Sequence, residues 1–335
     1  MFEKFTITTI LEAAEPIAHH SGSKGNIAIA MDERMFQLDG RLERVPIITG
    51  DTMRHAMRHA AAMAFLDAAG LLDREPMLSE AAVRLLFAGG IIKGASGASV
   101  SLTEYAALVD LMPALGLLGG CAGNRMMPGR LQVGRAVAVC KGSSRVLDHS
   151  PWAQGWIAER IDRLGYVVST SAALVDSVQR VRMDPTMNPT SRAMLSAGGE
   201  VTTEARLLAS ESASESGDDL AAEDAKSSMM PRTFEVVRAG TLFTWDVTAT
   251  LLSELDRDTF NLMYAATLAD LVVGGKRGVG HGRLVGLASS KMVLSKPASP
   301  ETLQPAVHSD VGEMFRAHVH DRRAKILDFL AKVVA

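Results

Sequence analysis

Cysteine is almost absent. Cys121 and Cys140 are the two in 335 residues, too few for a disulfide framework and without zinc-ligand spacing, so both read as buried thiols in a reducing compartment. Aromatic residues are only 5% of the chain, which argues against recognition by stacking bases on a sheet face. No apolar run is long enough to span a bilayer, and Met1-Phe2-Glu3-Lys4 leads into an alternating strand without a signal-peptide core, so a cytoplasmic protein is expected. Neither G-x-x-x-x-G-K-S/T nor a strand-to-helix G-x-G-x-x-G occurs, so the two common mononucleotide fingerprints are unmet. Net charge is −3, which excludes a uniformly basic nucleic-acid binder. The charge is uneven: Glu200, Glu204, Glu211, Glu215, Asp218, Asp219, Glu223 and Asp224 face only Arg206 and Lys226 within one stretch. That leaves a mildly positive remainder.

Glycine is concentrated where charge is also present. Gly274 to Arg283 reads Gly-Gly-Lys-Arg-Gly-Val-Gly-His-Gly-Arg, with Lys276, Arg277 and Arg283 as fixed cations. Glycines there allow positive φ and close backbone approach, and successive amides can converge on an anion. The same residues also fit a flexible turn with solvated charges.

Before this loop, Phe5 to Ala13 reads as a strand ending near Pro16, and His19 to Gly25 as a polar loop. The segment through Asp32, Glu33, Arg34, Asp39 and Gly40 has no sustained periodicity and reads as a long excursion. Thr49 or Asp51 is expected to cap a helix running to about Ala69. Its apolar stripe is Met53, Met57, Ala60 and Ala64. Arg54 with Arg58 and His55 with His59 recur four residues apart on the remaining surface, where a helix amino terminus favours an anion. The two histidines have metal-site spacing but no acidic third ligand, so no metal and no cofactor is expected.

Helices are predicted for Ser79 to Ala88, Thr103 to Leu118 and Trp152 to Leu164. A glycine and arginine loop, Leu118 to Arg130, feeds a strand through Leu131, Val133, Val137 and Val139. The serine-rich acidic stretch from Ala193 to Met230 reads as a mobile tip. Phe243 to Leu251 alternates as a half-buried strand, Asp256 to Val272 reads as helical, and Leu284 to Leu294 as a strand. A last helix buries Phe315, Val319, Ile326 and Leu330.

Removing insertions leaves strand, helix, strand, strand, helix, strand. This predicts an α+β fold with a ferredoxin-like, RRM-like βαββαβ core and a helical insertion, to which the family resemblance of the flanking segments adds a thumb-like β-hairpin insertion. Expected boundaries are 1–74 for the first part of the core, 75–125 for the helical insertion and 126–164 for a core strand and its connection. The thumb follows at 165–235, the second part of the core at 236–295, and the tail and helix at 296–335.

Four segments resemble the repeat-associated mysterious proteins of CRISPR systems, and among them the backbone subunits that coat guide RNA, with the type IV branch most similar. They are Val45 to Arg58, Leu117 to Val133, the pair Gln179 to Thr186 with Phe234 to Phe243, and Gly274 to Arg283. The resemblance implies a guide-RNA (crRNA)-binding subunit that repeats head to tail along the RNA, with other effector subunits, and presents it to a complementary DNA or RNA strand. It implies phosphate contacts by Arg54, Arg58, Arg125, Arg130, Lys276 and Arg277, with Gly50, Gly278 and Gly280 permitting close approach. His20, Ser21, Gly22, Lys24, Asp51, Thr52, His55, Met126, Arg180, Arg182 and His281 complete the expected RNA surface, and Met183 is placed to wedge between bases. In RNA-cleaving relatives an aspartate of the first loop cuts, and Asp32 lies at the matching place, but the reading favours a subunit that does not cut. The alternatives are a metal-dependent RNA endonuclease using Asp32 and a small-nucleotide enzyme using the glycine loop.

Overall fold

The computed structural model describes residues 2–25, 27–37, 39–72, 78–90, 98–99, 101–122, 125–164, 168–181, 231–294, 301–303 and 311–332. The predicted acidic tip, with Arg182 and Met183, lies outside them.

Strand β1 (Glu3–Ala13) is the axis of the molecule. It pairs antiparallel with β12 (Leu242–Leu251) on one side and β14 (Arg283–Val293) on the other. β12 pairs in turn with β9 (Leu131–Ala138). With α1 (Gly50–Ala68) between β1 and β9, and α7 (Glu254–Ala269) between β12 and β14, the core is the expected βαββαβ unit. Its sheet order is β14-β1-β12-β9.

The alternation in β1 makes two faces. Phe5, Ile7 and Leu11 enter the main core beneath α1 and α7, where Phe260 meets Phe5 edge-on at 5.4 Å and Tyr264 stacks on Trp245 at 6.0 Å. Ile10 points the other way, into a smaller cluster with Val139, Leu242 and α6 (Pro151–Leu164). A third cluster joins the far half of α1 to α2 (Glu80–Ala88), α3 (Leu102–Leu111), α4 (Pro113–Leu118) and α8 (Glu313–Lys332). There Phe315, Val319, Ile326 and Leu330 are buried as the sequence predicts. Cys121 and Cys140 are buried free thiols. Among the described residues no helix is long and apolar enough to cross a membrane.

α1 starts where expected. The Thr49 side chain accepts from the Thr52 amide, a cap that contributes on the order of 1 kcal/mol. Met53 and Met57 are fully buried, stabilising by about 1.5–3 kcal/mol each.

Five elements differ from the sequence reading. His20–Lys24 is a strand (β2) pairing with β3 (Ile27–Ala30), where a loop was expected. The excursion is a hairpin, β4 (Asp32–Phe36) with β5 (Leu42–Ile48), which extends the sheet beyond β9. β2 was hidden because its residues after His20 are exposed on both faces, and β4 because the charged run Asp32, Glu33 and Arg34 leaves Met35 as its one buried position. The helix expected through Leu118 is broken between α3 and α4 at Met112, ahead of Pro113, which has no amide proton to continue the ladder. Leu271–Val272 is not helical but a short edge strand, β13, on β14. In α1, the buried stripe runs through Ala61, Ala62 and Phe65 and includes Arg58, while Ala60 and Ala64 are only half-buried.

The remaining strands flank the core. β10 (Val175–Val181) pairs antiparallel with β11 (Pro231–Val237), which joins β3. β6 (Ala98–Ser99), β7 (Gly120–Ala122) and β8 (Arg125–Met127) form a small sheet by the helical cluster, and β15 (Glu301–Leu303) adds to β14. α5 (Ser144–Leu147) precedes α6.

Candidate nucleic-acid interface

The glycine loop leaves β13 and returns at β14, and its two ends are clamped. Val273 donates to the Gly282 carbonyl at 2.9 Å, Gly282 to Pro16 at 3.0 Å and Gly275 to Ala18 at 2.7 Å. These approaches need glycine. A Cβ at Gly282, where φ is +104°, would lie 2.1 Å from the Val273 carbonyl oxygen, and one at Gly274 would lie 2.5 Å from that of Ala18.

The loop's centre is different. Lys276 is left-handed (φ 62°, ψ 28°), the one non-glycine residue with positive φ among those described, and Arg277–Val279 then forms a single 3-10 turn. Val279 donates to the Lys276 carbonyl and Gly280 to that of Arg277. A left-handed residue followed by right-handed ones turns successive amides toward one side, an anion-binding nest. The amides of Lys276, Arg277 and Gly278 meet no acceptor among the described residues. A Cβ at Gly278 or Gly280 would meet nothing within 4 Å, although Gly280 has φ +75°. Lys276, Arg277, Gly278 and Gly280 are all exposed.

Three other segments meet this loop. The Lys276 ammonium lies 4.3 Å from the centroid of the Phe234 ring on β11, a cation–π contact that fixes its stem. The rings of His20 and His281 flank Phe234 at 6.2 and 6.0 Å. His20 Nε2 donates to the Glu235 carbonyl, and His19 Nε2 accepts from the Thr49 amide at the start of α1. Burial, followed by the neighbouring His20, holds the His19 pKa below its usual value, as an accepting, neutral ring requires. His55, exposed on the first turns of α1, is also held below the usual value. The causes are burial first, then Arg277, then His59 and Arg58.

The expected cations divide into two groups. Apart from the Lys276 contact with Phe234, Lys276 and Arg277 have no ion-pair partner among the described residues; the Arg277 Nε donates to the nearby Gly274 carbonyl. The other four are taken by protein partners, three of them buried or half-buried in the fold and Arg125 at the surface, 49% exposed. Arg54 donates to the carbonyls of Leu118 and Leu131, the latter at 3.2 Å. Arg58 is 7% exposed and donates to Leu118 and Gly119 at 3.3 and 3.0 Å, and burial with the Arg54 charge lowers its pKa to about 10. Arg125 is paired with Glu104. Arg130 holds Asp256 through two hydrogen bonds of 2.5 and 2.8 Å and donates to Gly116. The exposed basic face expected on α1 is therefore corrected at Arg58. That side of the helix is covered by the 118–119 turn, whose free carbonyls take the guanidinium protons.

Gly50 is also internal, since a Cβ there would sit 2.8 Å from the Val133 carbonyl oxygen; it lets α1 start against β9. His281 is 6% exposed with Nδ1 on the Gly280 carbonyl, so it underlies the loop rather than facing outward. Thr52 bonds Thr49, and Asp51 is exposed beside the cap. Ser21, Gly22 and Lys24 are exposed on β2, and Met126 is half-exposed on β8. Arg180 lies in β10. Asp32, on β4, accepts from Arg44 at 3.3 Å. Among the described residues no group of three or more His, Cys, Asp or Glu could hold a metal.

Sequence reasoning missed His19, Phe234 as a partner of Lys276, and Asp256 as the partner of Arg130. The last pair is 126 residues apart and no local pattern announces it.

No family model matches the chain, and no curated protein matches it. Among solved structures it is similar to a chain of a Type IV-B CRISPR complex. The two share 15% identity over 92% of this chain and 98% of that one, with a TM-score of 0.49. At that level of likeness, function is left to the residues themselves.

Proposed function

We propose that this chain is a guide-RNA-binding backbone subunit of a multi-subunit CRISPR effector in the cytoplasm, several copies of which line the RNA and present its bases without cutting. The observation that carries the reading is the meeting of the four segments that resemble the guide-coating family. Up to about 230 residues apart in sequence, they join at one place: the loop with Phe234, His55 with Arg277, and Arg54 and Arg58 with the 118–131 strand and turn.

The chemistry suits a phosphate backbone rather than a base. Three amides with no acceptor among the described residues, an ammonium held by an aromatic ring and a guanidinium form a compact, exposed anion site, and among the described residues no aromatic ring there is open for stacking. Sequence would then be read by base pairing, as in RNA-guided recognition generally. Asp32 gives no support to cleavage, since its carboxylate is taken by Arg44. The segments 75–125 and 165–235 are insertions into the core in this reading.

Purified chain titrated into labelled single-stranded RNA, with duplex DNA and ATP as controls, tests it. RNA binding that is indifferent to sequence and falls steeply with salt is expected. Thermal stabilisation by ATP with no RNA binding would instead identify a nucleotide enzyme.

A further inference from the structure

A groove of about 480 Å³ opens between α1 and the end of α7, a volume in the range of small-molecule sites. α1 supplies two rows of its lining. His55, His59, Met63 and Asp67 recur every four residues as an exposed row, and Ala56, Ala60 and Ala64 form the half-buried row beside it. The alanines leave a low floor, to which Met63 and Leu72, 39% and 45% exposed, add apolar surface. Arg277 lines the groove as well, so a phosphate strand held at the glycine loop adjoins it.

The groove carries charge of both signs. Arg277, His55 and His59 are its basic side chains, the histidines in the first three turns of α1. Asp67, in the last turn of α1, and Asp270, just past the end of α7, also line it. Both are exposed, and neither has an ion-pair partner among the described residues. A carboxylate only accepts hydrogen bonds, and it repels phosphate. A strand entering from the loop therefore gains from these two residues only where it brings a donor. Base donors change with sequence. The sugar–phosphate backbone of DNA has none, whereas RNA carries a 2′-hydroxyl on every nucleotide.

We infer that the groove sorts RNA from single-stranded DNA by its sugar. With a phosphate at the glycine loop and Arg277, the adjoining ribose lies over the alanine row, and 2′-hydroxyls donate to Asp67 and Asp270. These two aspartates are then specificity-determining residues, attractive toward RNA and repulsive toward DNA, so the wrong ligand is penalised as well as the right one rewarded. The alanine floor offers no hydrogen bond to a base, and binding stays indifferent to sequence. The inference rests on the proposed reading for the presence of the strand and adds the residues that recognise its sugar.

The test uses full-length wild type and Asp67→Asn with Asp270→Asn, each checked by thermal melting. Anisotropy reads binding to three single strands of one base sequence: RNA, DNA with deoxyuridine in place of thymidine, and fully 2′-O-methylated RNA, which keeps the ribose but lacks the donor. Wild type should bind RNA about tenfold more tightly than either of the others. In the double variant the carboxamide oxygens still accept but the repulsion is gone, so DNA affinity should rise and the gap should shrink to about twofold. A general loss of negative charge would raise all three affinities alike and leave the gap unchanged. That result, or a wild type that binds RNA and DNA equally, overturns the inference and leaves the strand-binding reading intact. Methylated RNA bound as tightly as RNA overturns it too, whatever the variant does. A wild type that binds none of the strands rejects the strand reading and the inference with it.

Discussion

Arg130 and Asp256 are joined by two parallel hydrogen bonds in a setting that leaves their side chains 12% and 5% exposed. Burial works against the Asp256 charge, yet Arg130 and nearby backbone amides hold its carboxyl below the usual value of 3.8. Removing one partner strands a buried charge, so Arg130→Ala should cost about 3–5 kcal/mol in a denaturant melt. RNA affinity per folded molecule should stay the same. Because the folded pKa is depressed, the pair's contribution is full above 3.8 and is lost as pH falls from there through the folded value. In Arg130→Ala that part of the acid dependence should disappear.

Arg58 should behave as a structural residue as well. Its guanidinium serves the carbonyls at 118 and 119, so Arg58→Ala should destabilise by about 1.5–3 kcal/mol. The salt dependence of RNA binding should be unchanged, and a shallower slope would return Arg58 to the phosphate surface.

The glycines of the loop separate by role. Gly282→Ala forces a Cβ toward the Val273 carbonyl at φ +104°, and should lower stability by more than about 1–3 kcal/mol. Gly278→Val has open space and should leave the melt within about 0.5 kcal/mol of wild type. It would crowd the nest, however, and RNA affinity should drop by about tenfold. Normal binding by a well-folded Gly278→Val protein would show that nothing approaches the loop there.

His55 supplies a pH signature. Its pKa in the free protein is held down by burial and then by Arg277, so the ring is neutral near pH 7. A phosphate beside it would raise that pKa, and binding would take up a proton. Affinity should therefore rise as pH is lowered from about 8 to about 6, and His55→Gln should remove the rise. A wild-type affinity flat across that range would place the phosphate away from α1.

The core order was legible because β1, β12, β9 and β14 are each half-buried, and half-burial writes itself into sequence as alternation. The cap at Thr49 and the stripe through Met53 and Met57 were local signals of the same kind. The β2 and β4 strands were not legible, since β2 carries polar residues on both faces and β4 opens with three charged residues and buries only Met35. The role of an arginine was the least readable feature. Arg58 and Arg277 look alike in sequence, and only the tertiary fold puts carbonyls beside one and solvent beside the other. The loop's glycines could be seen as a group, but not which of them close the loop and which leave it open.

The most direct measurement of the central claim is the salt dependence of single-stranded RNA binding by wild type and by Lys276→Ala with Arg277→Ala. Each lost phosphate contact makes the slope of log K against log salt shallower by about 0.7. The double variant should therefore lose about 1.4 from the slope, at an unchanged melting temperature. An identical slope in the two proteins, or no RNA binding by wild type at low salt, would contradict the account.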